Sequence, residues 1–376
     1  MKKYVLFGTS MEGEKLLYHY PQLRENIEYC IDSFHAGEFH GIPIVKLNEA
    51  VELDRYVIIV AAIWSTYEKI KHLLEEKNYK EYVNFFWGAE WNKQLVLVNM
   101  NCYGWGVCKY LDSCRHFLEN YCIHPIAPIH VNPEKRIAKE LLQRADVYIH
   151  QDIRADNAVA YELSDDYARQ FLKPGCLDIT APNLVGMGNW MYPTQDGIGK
   201  VVHTPDNGNI SVWYKDKALH EAYQLYGVAS LERYVSFYEN YKLDEKVLEG
   251  EYERCWEKMR EREKNWDVKI TDFINDNFRS VPCMVDCDHP SRYVMHEIGR
   301  QIAEIMGIDD IVDLNCYESQ LGLPTPVLKC VVNYYGLNWK IPNDRQKNLL
   351  LGYSTDNDLE EYIKEYLWWY YGVTAV

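Results

Sequence analysis

The sequence predicts a two-domain α/β protein, with a parallel-sheet domain over residues 1–93 and a helix-rich α/β domain over residues 94–376. Three observations predict it. The 376 residues exceed one ordinary domain of roughly 100–200 residues. Strand and helix patterns alternate through the first ninety or so residues, and a second alternation starts near residue 95 without continuing the first. With 47% hydrophobic and 26% charged residues and no low-complexity tract, the chain has the apolar material for two cores.

Element by element, "KYVLFGTS" (3–10) reads as a strand ending in a turn and "MEGEKLLYHY" (11–20) as a helix. "IEYCIDS" (27–33) and "IPIV" (42–45) read as strands, "KLNEAVEL" (46–53) as a helix and "YVIIVAA" (56–62) as a buried strand. The amphipathic "TYEKIKHLLEEKNY" (66–79) and the strand "YVNFF" (82–86) close the first domain. The second opens with a strand, "QLVLVNM" (94–100), and a helix, "GWGVCKYLDSCRHFLENY" (104–121). It continues with a strand at 126–131, a helix at 133–145, and strands "DVYIHQ" (146–151) and "CLDITAPNL" (176–184). From about 213 the pattern turns helical; "LDEKVLEGEYERCWEKMREREKNW" (243–266) carries charges on most faces and reads as a solvated helix.

A formal net charge of −16 repels phosphate backbones and anionic membranes, which excludes nucleic acid as main partner. The start "MKKYVLFGTSMEGEK" has no leader pattern, and no stretch reaches the ~18 apolar residues of a membrane span. A cytoplasmic protein is expected, with its eleven cysteines reduced and, without a C-x2-C pair, no metal site. A homo-oligomer stays open.

In the first domain, "FGTSMEGE" supplies Gly8 and Gly13 but lacks the middle glycine of a dinucleotide fingerprint, and Asp32 closes the second strand where a ribose-binding acid would sit. Two readings stay open. Either these residues hold NAD or another nucleotide, or Gly8 makes a tight turn and Gly13 lets helix and strand approach.

The second domain places Cys102 in the turn between a strand and a helix, where α/β folds bind ligands. Amides at a helix start favour a thiolate and can donate to an oxyanion, so Cys102 is a candidate nucleophile. Its candidate base is His289 in "MVDCDHPSRYVMHEIG", with Asp286 spaced to orient the imidazole and Asp288 free to cap the following helix. His296 reads as packing. Gln151 follows another strand end and could donate to an oxyanion, flanked by His150 and Arg154. Asn183 lies in "APNLVGMGNWMYP", a Gly/aromatic loop of the kind that lines pockets.

Asn101-Cys102 after a strand, then "DVYIHQDIR", "APN" with "MYP", "REREKNWDVKITDFINDNF" running into "DHPSRYVMHEIGRQIAEIMG", and "LGLPTPVLKCVVNYYGL" together resemble the WcbI-like polysaccharide-biosynthesis proteins, acetyltransferases of capsule pathways, over residues 95 to 340. The resemblance implies a coenzyme A-binding α/β protein whose Asn-Cys turn and His-Pro motif line the active site. It makes Cys102 and His289 catalytic, with Asn101 and Gln151 beside them, and Arg154 and Arg292 candidates for coenzyme A phosphates. The chain departs from the family pattern at Met100, where a glycine is usual, and at Tyr103, where a glutamine is usual. The arrangement is also similar at fold level to SGNH-type esterases with Cys for Ser. The first domain resembles the Rossmann-like modules that precede transferase domains in surface-polysaccharide enzymes.

The expected activity is an acyl transfer from acetyl-CoA to a sugar hydroxyl, on a glycan or nucleotide-sugar acceptor. Cys102 attacks, His289 moves the proton, Asp286 orients it, and Gln151 with the helix-start amides holds the oxyanion. A carbohydrate esterase and a non-catalytic nucleotide- or sugar-binding scaffold are the alternatives.

Overall fold

The computed structural model describes residues 3–50, 52–126, 137–153, 161–203, 210–314, 325–339 and 356–374. The fold is mixed α/β, with parallel sheets and many helices. The first sheet runs through β1 (Tyr4–Phe7), α1 (Met11–His19), β2 (Ile27–Ile31), β3 (Gly37–Phe39), β4 (Ile42–Val45), β5 (Val57–Val60), α2 (Trp64–Glu75) and β6 (Phe85–Trp87). Its order is β3-β4-β2-β1-β5-β6, parallel except for β3 against β4. Successive side chains of a strand face opposite ways, so Val5 and Phe7 join Tyr67, Ile70 and Leu74 of α2, while Leu6 joins Leu16 and Leu17 of α1. A sheet covered on both faces needs continuous apolar strands, which is what "YVLF" and "VIIV" supply.

The second sheet begins with β7 (Gln94–Asn99), whose turn leads into α3 (Gly104–Asp112) and α4 (Arg115–Asn120). β8 (Tyr121–His124), α5 (Lys139–Leu142), β9 (Val147–Gln151), α6 (Asp165–Arg169) and β10 (Leu177–Ala181) follow, in sheet order β10-β9-β7-β8. An antiparallel hairpin, β11 (Gln195–His203) and β12 (Ile210–Asp216), precedes the helical part. This comprises α7 (Lys217–Tyr226), α8 (Leu231–Glu239), α9 (Glu245–Glu263), α10 (Thr271–Asn277), α11 (Arg292–Ile305), α12 (Lys329–Tyr335) and α13 (Asp356–Tyr371).

Two compact units emerge, and the chain passes between them more than once. Unit 1 holds Met1–Val98, His116–Tyr148 and Ile153–Asp178; unit 2 holds Asn99–Arg115, Ile149–Asp152 and Ile179–Val376. β7, β9 and β10 begin in unit 1 and end in unit 2, which thus collects the C-terminal tips of three strands.

Several expectations change. Residues 46–50 form turns instead of a helix, because a segment this short has no independent helical stability and Lys46 is tied to the Ser33 and His35 carbonyls. The helix expected over 104–121 ends early, and its last residue starts β8; the strand expected at 126–131 lies outside the described residues beyond Ile126. The β11–β12 hairpin was not anticipated.

Gly8 has φ +111, and a Cβ there would stand 2.4 Å from the Ala61 carbonyl oxygen; one on Gly13 would stand 2.6 Å from that of Gly8. The tight turn and close approach thus account for both glycines. Asp32 does not offer its carboxylate to a ribose: it accepts from the Thr9 amide and hydroxyl and from the Phe34 and His35 amides. Burial raises its pKa, but these hydrogen bonds outweigh burial and hold the group well below the ordinary carboxylate range.

Candidate active site

All of the following geometry lies within unit 2. β7 is buried along its length after Gln94, and the chain leaves its tip through Met100, Asn101 and Cys102. The Asn101 carbonyl accepts from the Gly104 amide and its side chain from the Tyr103 amide, a local turn that polar Asn favours and that starts α3. The Cys102 amide donates to no group among the described residues.

His289 is brought in by α11. Val294, Met295, Ile298 and Ile302 form the apolar stripe that seats this helix, and Ser291 caps it by accepting from the Tyr293 amide. Tyr110 of α3 lies edge-on to His296 of α11, ring centroids 5.1 Å apart, and His296 Nε2 pairs with the Val312 carbonyl. The loop ahead of α11 is folded back on itself: the Val285 amide donates to the His289 carbonyl, and the Cys287 amide to Gln195 Oε1. Gly188 passes beneath it so closely that a Cβ would stand 2.4 Å from the Asp286 carbonyl oxygen. Only glycine admits that approach.

The result is a line of three side chains. Cys102 Sγ stands 3.2 Å from His289 Nε2, and His289 Nδ1 stands 2.8 Å and 3.0 Å from the two oxygens of Asp286. Asp286 is buried, and its Oδ1 also accepts from the Asp288 and His289 amides. The sulfur is partly exposed. Burial would lower the His289 pKa, but hydrogen bonds to Asp286 and Cys102, and their charges, raise it to about 10. Nδ1 of the ring faces the carboxylate, and Nε2 faces the sulfur.

The other predicted residues fall into place unequally. Gln151 is not an oxyanion donor: it is buried, accepts from the Asn101 amide, and donates both its Nε2 hydrogens, to the Tyr103 hydroxyl and to the Pro182 carbonyl. It braces the turn. His150 is sealed from solvent, with Nδ1 on the Gln151 carbonyl and Nε2 3.4 Å from Thr180 Oγ1. Arg292 is buried with its guanidinium against the Tyr293 ring, so it does not reach out for a phosphate. Arg154 lies outside the described residues. Asp288 caps nothing, since Ser291 does so; it accepts from the Gly186 amide at 2.7 Å. In the loop expected to line a pocket, Trp190, Met191 and Tyr192 are core, while Asn183 is half-buried and accepts from the Val185 amide and from Arg262.

Two residues were missed. Tyr103, the departure from the family pattern, is wholly buried; its hydroxyl accepts from Gln151 and from the Leu184 amide and donates to the Pro182 carbonyl. Tyr214 of β12 donates to Asp288, its ring 6.3 Å from that of His289; burial, then the charges of Asp286 and Asp288, raise its pKa. The signal for Tyr103 was the departure itself; nothing in "ISVWYKD" marked Tyr214.

A strand-tip cysteine, an imidazole and a buried carboxylate thus stand in one line. Residues 95–310, more than half of the chain, match the family described as "Polysaccharide biosynthesis enzyme WcbI", and the chain belongs to that family. Among solved structures, one described as WcbI, a novel polysaccharide biosynthesis enzyme, native and without a disulfide bond between coenzyme A and a cysteine, is similar at a TM-score of 0.44 and 18% identity, covering 57% of this chain and 70% of that one. No curated protein matches. Among the described residues no group of three or more potential ligands could hold a metal ion, all ten cysteines are free, and no helix is long and apolar enough to cross a membrane.

Proposed function

We propose that the protein is an acyltransferase that moves an acetyl group from acetyl-CoA to a sugar hydroxyl in surface-polysaccharide biosynthesis. The observation that carries this reading is the Cys102–His289–Asp286 line, with the sulfur 3.2 Å from the imidazole and the imidazole 2.8 Å from the carboxylate. The family's description as a polysaccharide biosynthesis enzyme supports the acceptor class.

In the first step Cys102 sulfur, as thiolate, attacks the carbonyl carbon of the thioester. A carbon–sulfur bond to the protein forms as the one to coenzyme A breaks, and the departing thiolate takes the His289 Nε2 proton. In the second step the sugar hydroxyl attacks the acyl-cysteine while neutral His289 accepts its proton, which regenerates thiolate and imidazolium. Asp286 holds the tautomer and orientation throughout. Since Gln151 has no hydrogen to spare, the Cys102 amide is the donor for the developing oxyanion, at the start of α3.

General acid–base groups contribute typically ~10²–10⁴-fold. Cys102→Ala and His289→Ala are each expected to lower acetyl transfer by at least about a hundredfold, and mass spectrometry of wild-type protein with acetyl-CoA should find one acetyl group on the Cys102 peptide. Activity within about tenfold of the parent in both variants would sink the assignment. Donor consumption measured with and without a glycan acceptor separates transfer from hydrolysis.

A further inference from the structure

Helix α9 was read from sequence as a solvated helix, and most of its charges fit that reading. Arg254 is paired with Glu251, and Lys264 with Glu261. Lys258 and Arg262 differ. They stand four residues apart on one flank of the helix and are half-buried, and neither forms an ion pair among the described residues. Arg262 donates one hydrogen bond, at 3.0 Å, to the Asn183 carbonyl; Lys258 makes none. Like charges at this spacing repel. Burial lowers the pKa of both, and the charges of Arg262 and Arg254 lower that of Lys258 further; the Tyr103 hydroxyl and Asp152 act on Arg262 in the other direction, and Cys255 and Asp288 on Lys258. In a chain with a surplus of sixteen negative charges, two partly buried cations thus stand together with no carboxylate in ion-pair contact among the described residues.

Their location gives this arrangement a purpose. The Asn183 carbonyl that holds Arg262 belongs to the segment whose Pro182 and Leu184 bond the Tyr103 hydroxyl, next to Cys102. Gly186, whose Cβ position lies 4.0 Å from Lys258 Nζ, donates its amide to Asp288, next to His289. Each cation is therefore tied by one short relay to the neighbour of a reacting side chain. An acyl-thioester donor of the coenzyme A type carries its phosphates a flexible arm away from its sulfur, so its anionic end must be gripped beside the reacting pair and not on it.

We propose that Lys258 and Arg262 form an anion subsite that grips a phosphate group of the acyl-thioester donor, an inference that rests on the acyl-transfer reading above. A bound phosphate would answer both charges and relieve their repulsion, with Arg262 offering a forked donor and Lys258 a point charge.

The test compares acetyl-CoA with phosphate-free S-acetylpantetheine as donors for the full chain, wild type and the variants Lys258→Met, Arg262→Gln and Arg262→Lys. Lys258→Met and Arg262→Gln should each lower the ratio of kcat/KM for acetyl-CoA over S-acetylpantetheine by about tenfold, and Arg262→Lys should keep most of it. Melting of Lys258→Met at or above the parent's temperature confirms an intact fold. A ratio unchanged in both charge-removing variants, or an equal loss with both donors, overturns the subsite. If the wild type uses neither donor, the acyl-transfer reading has failed, and calorimetry with inorganic diphosphate then decides the subsite. Binding that Lys258→Met weakens by about tenfold upholds it, and no binding by the wild type overturns it.

Discussion

Replacing Asp286 by Asn tests the three-residue line directly. Oδ1 of the carboxylate accepts from the Asp288 and His289 amides, and both oxygens face His289 Nδ1. Asparagine keeps an oxygen for the two amides but turns an NH2 donor toward Nδ1, so the neutral ring must move its proton to Nε2, the atom that has to accept one. The gap between about 10 and the ordinary 6.5 of His289 corresponds to on the order of 5 kcal/mol at about 1.4 kcal/mol per unit. Asp286 and Cys102 share in raising it, with the hydrogen bond to Asp286 first. The imidazole pKa should therefore fall in Asp286→Asn, and transfer by on the order of 10²–10⁴-fold. The assay is the pH dependence of Cys102 carbamidomethylation by iodoacetamide, read alongside kcat/KM. The alkaline limb should move toward neutrality in the variant. Stability should follow with a definite sign. A histidine whose folded pKa is raised stabilises fully below about pH 6.5, and that contribution is lost as the pH rises to about 10. The parent loses it across that window, and the variant has less to lose. An alkaline limb at the parent's pH, with transfer within about tenfold, would refute the reasoning.

The remaining predictions are as follows. Tyr103→Phe strands the Leu184 amide and one Gln151 hydrogen in a buried place, which costs about 2–4 kcal/mol and lowers Tm by on the order of 5–10 °C in calorimetry; a shift under about 1 °C would show that the hydroxyl holds nothing. Gly188→Ala pushes against the Asp286 carbonyl, so it should destabilise the fold by about 1–3 kcal/mol in urea titration and slow Cys102 alkylation; a parent-like rate would free the loop from Gly188. Burial pushes the Cys30 and Cys108 thiols up to about 12, so brief iodoacetamide treatment at neutral pH should label Cys102 before either. His289→Ala should slow the labelling of Cys102 and leave that of Cys30 and Cys108 unchanged, and peptide mapping that finds Cys30 labelled first in the parent would contradict the prediction.

The alternating strands of the first sheet were legible because burial on both faces demands unbroken apolar runs, and "YVLF" and "VIIV" have no polar positions. Cys102 and His289 were legible one at a time, as a thiol in a strand-to-helix turn and an imidazole three residues after an acid. Their pairing was an expectation that the chemistry of a nucleophile and its base suggested; the 3.2 Å between them was not legible, since 187 positions separate them and only tertiary packing sets that distance. Gln151 shows the opposite limit. A polar side chain at a strand end reads the same whether it faces a ligand or braces a neighbouring turn, and only its filled hydrogen-bonding capacity decides. On α9 the many charges hid the two half-buried cations, because periodicity distinguishes apolar from charged positions but not a charge held in an ion pair from one that is not.

Unit 2 is assembled from three separate stretches of chain, and the Cys102–His289 pair takes one member from the first and one from the last. A truncated protein starting at residue 116 lacks Cys102, and one stopping at residue 178 lacks His289, so each is expected to lose the proposed transfer. Thiol reactivity at Cys102 can therefore serve as a clock for completed folding, since any intermediate lacking either stretch carries an ordinary cysteine or an idle histidine.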